Sequence, residues 1–159
     1  PNYPSISVFN IPESKSEGVA GNVSLRWGNV EAYGVLTYLR YTEGDTLKTL
    51  IPELVLSGEL AYRDKFFNDA LDARLGIRSR FMSQHRGKEY LPRQGLWVEN
   101  IRTQPGQFSA MDLFAILHIG DAFISVTWEN LLNANYFITP VYPMPGRNFK
   151  LGVNWVFVD

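Results

Sequence analysis

The chain of 159 residues contains no cysteine. This excludes disulfides and thiolate metal sites and is compatible with an oxidising envelope compartment. It also lacks any run of about 18 apolar residues, the minimum for a membrane-crossing helix. Neither sign of charge is in excess, with 15 basic against 16 acidic residues, so there is no basic footprint for nucleic acid. Histidine is scarce: His85 and His118 have no carboxylate or second histidine at a ligand spacing, so neither a metal nor a cofactor is expected. Finally, the chain opens "PNYPSISVFN", without a start methionine, basic n-region or apolar h-region, as expected of a mature form or part of a longer protein.

What is present is alternation. Hydrophobic residues make up 45% and mean hydropathy is −0.13. Such averages resemble those of a soluble protein, yet a transmembrane barrel shows lipid only half its residues and averages the same way. Residues 148–157 place Phe149, Leu151, Val153, Trp155 and Phe157 on one face, opposite Asn148, Lys150, Gly152 and Asn154. A sustained two-residue period means a half-buried strand. Similar patterns occupy 19–27, 53–63, 71–81 and 122–129. Segments 31–42 and 109–119 are β-rich but apolar on both faces, and "SISVFNI" is a candidate further strand. Seven strands, or eight with that opening segment, and no helix are expected.

The links between strands alternate in length. Tight Gly/Asn/Asp turns are expected at 27–31, 67–70 and 119–122. Long links fall at 42–52, from 83 onward and at 133–148. In an antiparallel barrel this puts every short turn at one end and every long loop at the other, as in outer-membrane barrels. Several strands also meet or exceed the length of about 9–11 residues needed to cross a bilayer. The fold class is therefore all-β, an antiparallel transmembrane β-barrel. Seven strands do not close the usual even-numbered barrel, so either the opening segment supplies an eighth strand or residues 1–159 are a single β-barrel segment of an incomplete barrel. No plug domain or signal peptide is visible in the chain.

The residues "ISVTWENLLNANYFITPVYPMPGRNFKLGVNWVF" resemble the end of TonB-dependent outer-membrane receptors. The carrying positions are Glu129, Asn130, Leu131, Asn133 and Tyr136, then Tyr142–Arg147, Phe149, Trp155 and Phe157. Outer-membrane porins share a closely similar ending. The resemblance implies that residues 1–159 are the C-terminal portion of a larger barrel, and it implies solute transport across the outer membrane of a Gram-negative-type bacterium. Outer-membrane lipid would surround the barrel, and a plug domain and TonB-type energising complex would be partners in a receptor. The chain departs from that family in two ways. It is too short for a plug with about 22 strands, and Val158 and Asp159 follow the last aromatic residue. A passive porin or a small closed structural barrel is the alternative within this architecture, and a soluble lipocalin-like binding barrel is the contrasting class.

Arg26, Glu59, Arg63, Asp72, Arg74, Arg78, Arg80, Glu129 and Lys150 are the candidate lumen-facing residues, with Asp112 among them. They read as a mildly cationic lumen or as cross-strand ion pairs. The mixture of signs favours the pairs. His118 is expected to be an inward hydrogen-bonding group. Trp27, Tyr62, Phe66, Trp128, Trp155 and Phe157, near strand ends, are candidates for an interfacial aromatic girdle. Ser125 and Thr127 lie near Glu129 without a nucleophile elbow or a base, so no enzyme is expected. In "YPMPG", two prolines and Gly146 direct the chain into the last strand.

Overall fold

The computed structural model describes residues 13–44, 46–47, 50–99, 106–139 and 142–157. The candidate opening strand and the two residues after Phe157 lie outside them. Among the described residues there are only strands: β1 (Ser14–Trp27), β2 (Val30–Glu43), β3 (Thr46–Leu47), β4 (Leu54–Phe66), β5 (Leu71–Met82) and β6 (Lys88–Leu91), followed by β7 (Leu96–Glu99), β8 (Phe108–Ile119), β9 (Ala122–Glu129), β10 (Phe137–Thr139), β11 (Tyr142–Pro143) and β12 (Asn148–Trp155).

Seven long strands form one antiparallel sheet in the order β1-β2-β4-β5-β8-β9-β12, with β3 pairing only with the end of β2. The remaining strands make two small pairs, β6 with β7 and β10 with β11. Each long strand thus neighbours the long strands before and after it in sequence. The sheet is open among the described residues, with β1 and β12 as its edges.

The three tight turns fall where Gly, Asn and Asp place them. Gly28 and Gly120 adopt positive φ of 57° and 55°, a region in which a Cβ is unfavourable. Phe67, Asn68 and Asp69 form a left-handed run at 55°, 56° and 68°. Asn and Asp tolerate this conformation and Phe67 does not, which is backbone strain at an exposed turn. All three turns lie at one end of the sheet and the long connections lie at the other. Those connections are more structured than the sequence suggests, because β6 and β7 pair within one and β10 and β11 within another. The last strand ends at Trp155, so Phe157 follows the strand rather than closing it.

The register defines two faces. One carries Val23, Leu25, Leu36, Leu56, Leu60, Leu75, Ile77, Leu113, Val126, Leu151 and Val153. This face is open: Leu25 is 63% exposed, Leu60 49% and Leu151 64%. The compact cluster of Phe108, Ala110 and Tyr136 lies elsewhere, at the long-loop end of the opposite face. At roughly 3.3 Å per residue, the 13 residues of β4 extend ~43 Å. A tilt of ~40° brings this close to the ~30 Å thickness of a hydrocarbon core.

Candidate functional site

The second face carries most of the charges; Lys15, Glu17, Arg40 and Asp64 are on the apolar face, toward strand ends. Cross-strand pairing puts Arg26 beside Glu31, Glu59 beside Arg78, Asp72 beside His118, Arg78 beside Asp112 and Thr127 beside Lys150. All nine candidate lumen residues fall on this face. Antiparallel neighbours on one face come within side-chain reach, so opposite charges pair.

The pairs form a network. Arg74 donates to Glu31 at 3.0 Å and to Glu59 at 2.6 Å, and Arg78 donates to the other oxygen of Glu59 at 2.7 Å. Arg63 grips Asp72 through Nε at 3.0 Å and Nη2 at 2.6 Å, the two-point geometry suited to a guanidinium. Lys150 donates to Glu129 at 2.8 Å and Arg80 to Asp112 at 3.0 Å. Arg26, with one contact of 4.0 Å to Glu31, is the most loosely held of these cations. The Arg74 and Arg78 guanidinium carbons stand 5.2 and 5.3 Å from the ring centroid of Phe114, so cation–π attraction also positions them. Phe114 lies over Gly76, where a Cβ would meet the ring at 2.6 Å.

On this face Arg26, Arg63, Lys65, Arg74, Arg78, Arg80 and Lys150 are set against Glu31, Glu43, Glu59, Asp72, Asp112 and Glu129. The wall is polar and nearly balanced in charge, and paired more than cationic. A pocket of about 290 Å³ shows the same balance, lined by Arg26 and Arg74, Glu31 and Glu59, Ser24 and Tyr33. His118 is on this face, with its ring stacked on Phe123 at 4.1 Å where the sequence suggests a hydrogen-bonding role. His85 is buried, with Nδ1 3.3 Å from the Ser83 carbonyl oxygen. Ser125 lies opposite Gly152 and Ile116. No metal-binding group of His, Asp and Glu gathers among the described residues.

The aromatic candidates divide between two levels. Trp27, Tyr62, Phe66 and Trp155 are on the apolar face toward the short turns, and the Phe157 ring stacks near Trp155 at 6.4 Å. Trp128 is at the other end, opposite Phe149. Tyr38 and Phe81 share that end and face. Tyr38, Phe81 and Phe149 escape a search for aromatics near tight turns; proximity to the long links is the signal that finds them.

Sequence reasoning also misses the degree to which the C-terminal motif is a bonding unit. Asn130, buried at φ 51°, donates from Nδ2 to the carbonyls of Ala134 (2.9 Å) and Pro145 (3.3 Å). Its Oδ1 accepts from Ala134 N at 2.9 Å, and its own N–H donates to Asp112 at 2.9 Å. Asn133 Oδ1 accepts from Arg147 N at 3.1 Å, and Arg147 Nη2 donates to the Leu131 carbonyl at 2.7 Å.

An antiparallel meander with one exposed apolar face and one ion-paired polar face is the wall of an outer-membrane β-barrel. Residues 19–159 match the family model described as "Putative porin", and the chain belongs to that family. Among solved structures, the FpvAI–pyocin S2 complex aligns with a TM-score of 0.68 at 18% identity, covering 89% of this chain and 19% of that one. The FrpB iron transporter of Neisseria meningitidis aligns at 0.63 and 22% in its F3-3 variant, covering 92% and 24%, and at 0.61 and 20% in its F5-1 variant, covering 89% and 24%. The chain thus spans about a fifth to a quarter of the length of these structures, and at such identities the likeness concerns the fold. No curated protein matches the sequence. Barrel architecture and porin-family sequence meet in one chain, and together they support outer-membrane β-barrel transport in general terms.

Proposed function

We propose that this chain is the C-terminal wall of a larger barrel in the outer membrane of a Gram-negative-type bacterium, and that the barrel takes up solutes in the manner of a TonB-dependent receptor. One observation carries the reading. Across all seven long strands most of the exposed apolar residues lie on one face, where Lys15, Glu17, Arg40 and Asp64 stand only toward strand ends. The ion pairs Arg74–Glu59, Arg63–Asp72 and Lys150–Glu129 keep to the other. Membrane lipid covers the first face. The second lines the lumen, where water solvates the half-exposed guanidiniums. Trp27, Tyr62, Phe66, Trp155 and Phe157 anchor the periplasmic boundary, and Trp128 with Tyr38, Phe81 and Phe149 anchors the outer one. Further strands complete the barrel at the edges of β1 and β12. A plug domain and a TonB-type complex would be the partners of the energised form.

Passive permeation is the second reading, favoured by the porin family match. Uptake by cells, measured with and without a membrane potential, separates the two. Energised uptake stops when the potential is collapsed. A passive porin continues to equilibrate solute, and the purified full-length protein makes liposomes leaky without any energy source.

A further inference from the structure

Between β1 and β2 one opposite-charge pair of the polar face stands apart. Arg26 Nε is 4.0 Å from Glu31 Oε1, beyond hydrogen-bond reach. Glu31 is held from its other side, where Arg74 Nε donates to Oε2 at 3.0 Å. Its Oε1 accepts no hydrogen bond among the described residues, and the Arg26 guanidinium donates none. The Arg26 side chain is 71% exposed, against 26% for Glu31. The register accounts for the gap, because on its β4 side Glu31 meets Ala61, which brings no charge. The nearest further charges are already engaged, with Arg74 and Arg78 on the two oxygens of Glu59. The separated pair borders the pocket of about 290 Å³, which Ser24 and Tyr33 also line.

We propose that this pocket binds the zwitterionic head of a small α-amino acid, with its carboxylate on Arg26 and its ammonium on Glu31 Oε1. This rests on the barrel reading above, since the polar face meets water and solute as the wall of a lumen. The unengaged groups define the ligand class. A free guanidinium presents the planar two-point donor geometry that suits a carboxylate, and a free carboxylate oxygen accepts from an ammonium. A solute with one charge leaves the other group unmatched, and a neutral solute leaves both. The volume is at the lower end for small-molecule sites, which keeps the ligand small. Arg74 is a positioning residue in this scheme, because it fixes Glu31 through Oε2 and leaves Oε1 to the ligand.

The test is isothermal titration of the purified full-length protein in detergent with three probes that share one side chain. They are leucine, isocaproate, which lacks the ammonium, and isopentylamine, which lacks the carboxylate. Leucine should bind about tenfold more tightly than either, the factor expected of one additional charge-assisted hydrogen bond. Arg26→Gln should bring leucine down to the affinity of isopentylamine. Glu31→Gln keeps an acceptor for Arg74 and should bring leucine down to the affinity of isocaproate. Heat-dependent gel mobility confirms that each variant is assembled. A single-charge probe binding as tightly as leucine, leucine binding unchanged by either substitution, or no binding to the parent would overturn the site. The barrel reading is checked separately with Ser125→Cys, on the same face and exposed, in the native outer membrane with any other cysteine replaced. It should react with a water-soluble maleimide. Reaction only with a membrane-soluble maleimide would contradict the barrel orientation itself.

Discussion

Asn130 combines a left-handed backbone with three side-chain hydrogen bonds, so two different costs meet in one residue. Asn130→Gly keeps the backbone conformation and removes only the bonds, which should lower stability by about 2–3 kcal/mol at roughly 1 kcal/mol each. Asn130→Ala adds strain at positive φ and should cost ~1 kcal/mol more. Denaturation midpoints of the purified full-length variants would check the order, and equal midpoints would contradict it. Gly76 presents the opposite case. A Cβ there would lie 2.6 Å from both the Leu60 carbonyl oxygen and the Phe114 ring. The ring is confined by Arg74 and Arg78, so Gly76→Ala should destabilise by ~1–3 kcal/mol on the same measurement. Neither role can be read from the sequence. Asn130 is visible there only as part of a resemblance, and Gly76 only as a gap in the apolar alternation, because both depend on partners far away in the chain.

At the scale of strands, far more is legible. The two-residue period locates five of the seven long strands and β-rich composition the other two, at 31–42 and 109–119; 122–129 coincides with β9, while β1 begins at Ser14, five residues before the alternation becomes legible. Gly28 and Gly120 mark the turns, since local backbone chemistry decides a two-residue hairpin. The short β6–β7 and β10–β11 pairs escape such a reading, because a few paired residues leave no periodic signal. The two-sided apolarity of β8 is visible in the sequence, and it has two sources: the β9–β12 loop packed against Phe108 and Ala110 at its start, and Phe114 held under Arg74 and Arg78 further on. Within β9, adjacent residues should respond in opposite ways. Val126 is on the apolar face and Thr127 beside Lys150 on the polar one. An arginine facing lipid near mid-membrane costs ~2–4 kcal/mol. Val126→Arg should therefore block assembly and Thr127→Arg should be tolerated, as read by heat-dependent gel mobility. Equal tolerance of both would contradict the assignment of faces.

For the whole molecule, the decisive feature is that the apolar face has no partner within the described sheet. In water such a face would drive aggregation, whereas in a bilayer it is solvated. The two unpaired edges call for pairing as well, because open sheet edges are not tolerated in lipid. The native polypeptide recovered from the outer-membrane fraction should accordingly be much heavier than 18.1 kDa. A membrane chain of about that mass would instead favour a small closed barrel. The central claim is the orientation of the wall, and a cysteine scan along β12 in the native membrane tests it most directly. Positions 148, 150, 152 and 154 should react with a water-soluble maleimide, and 149, 151, 153 and 155 only with a membrane-soluble one. Uniform labelling by the water-soluble reagent, without the two-residue period, would contradict the account.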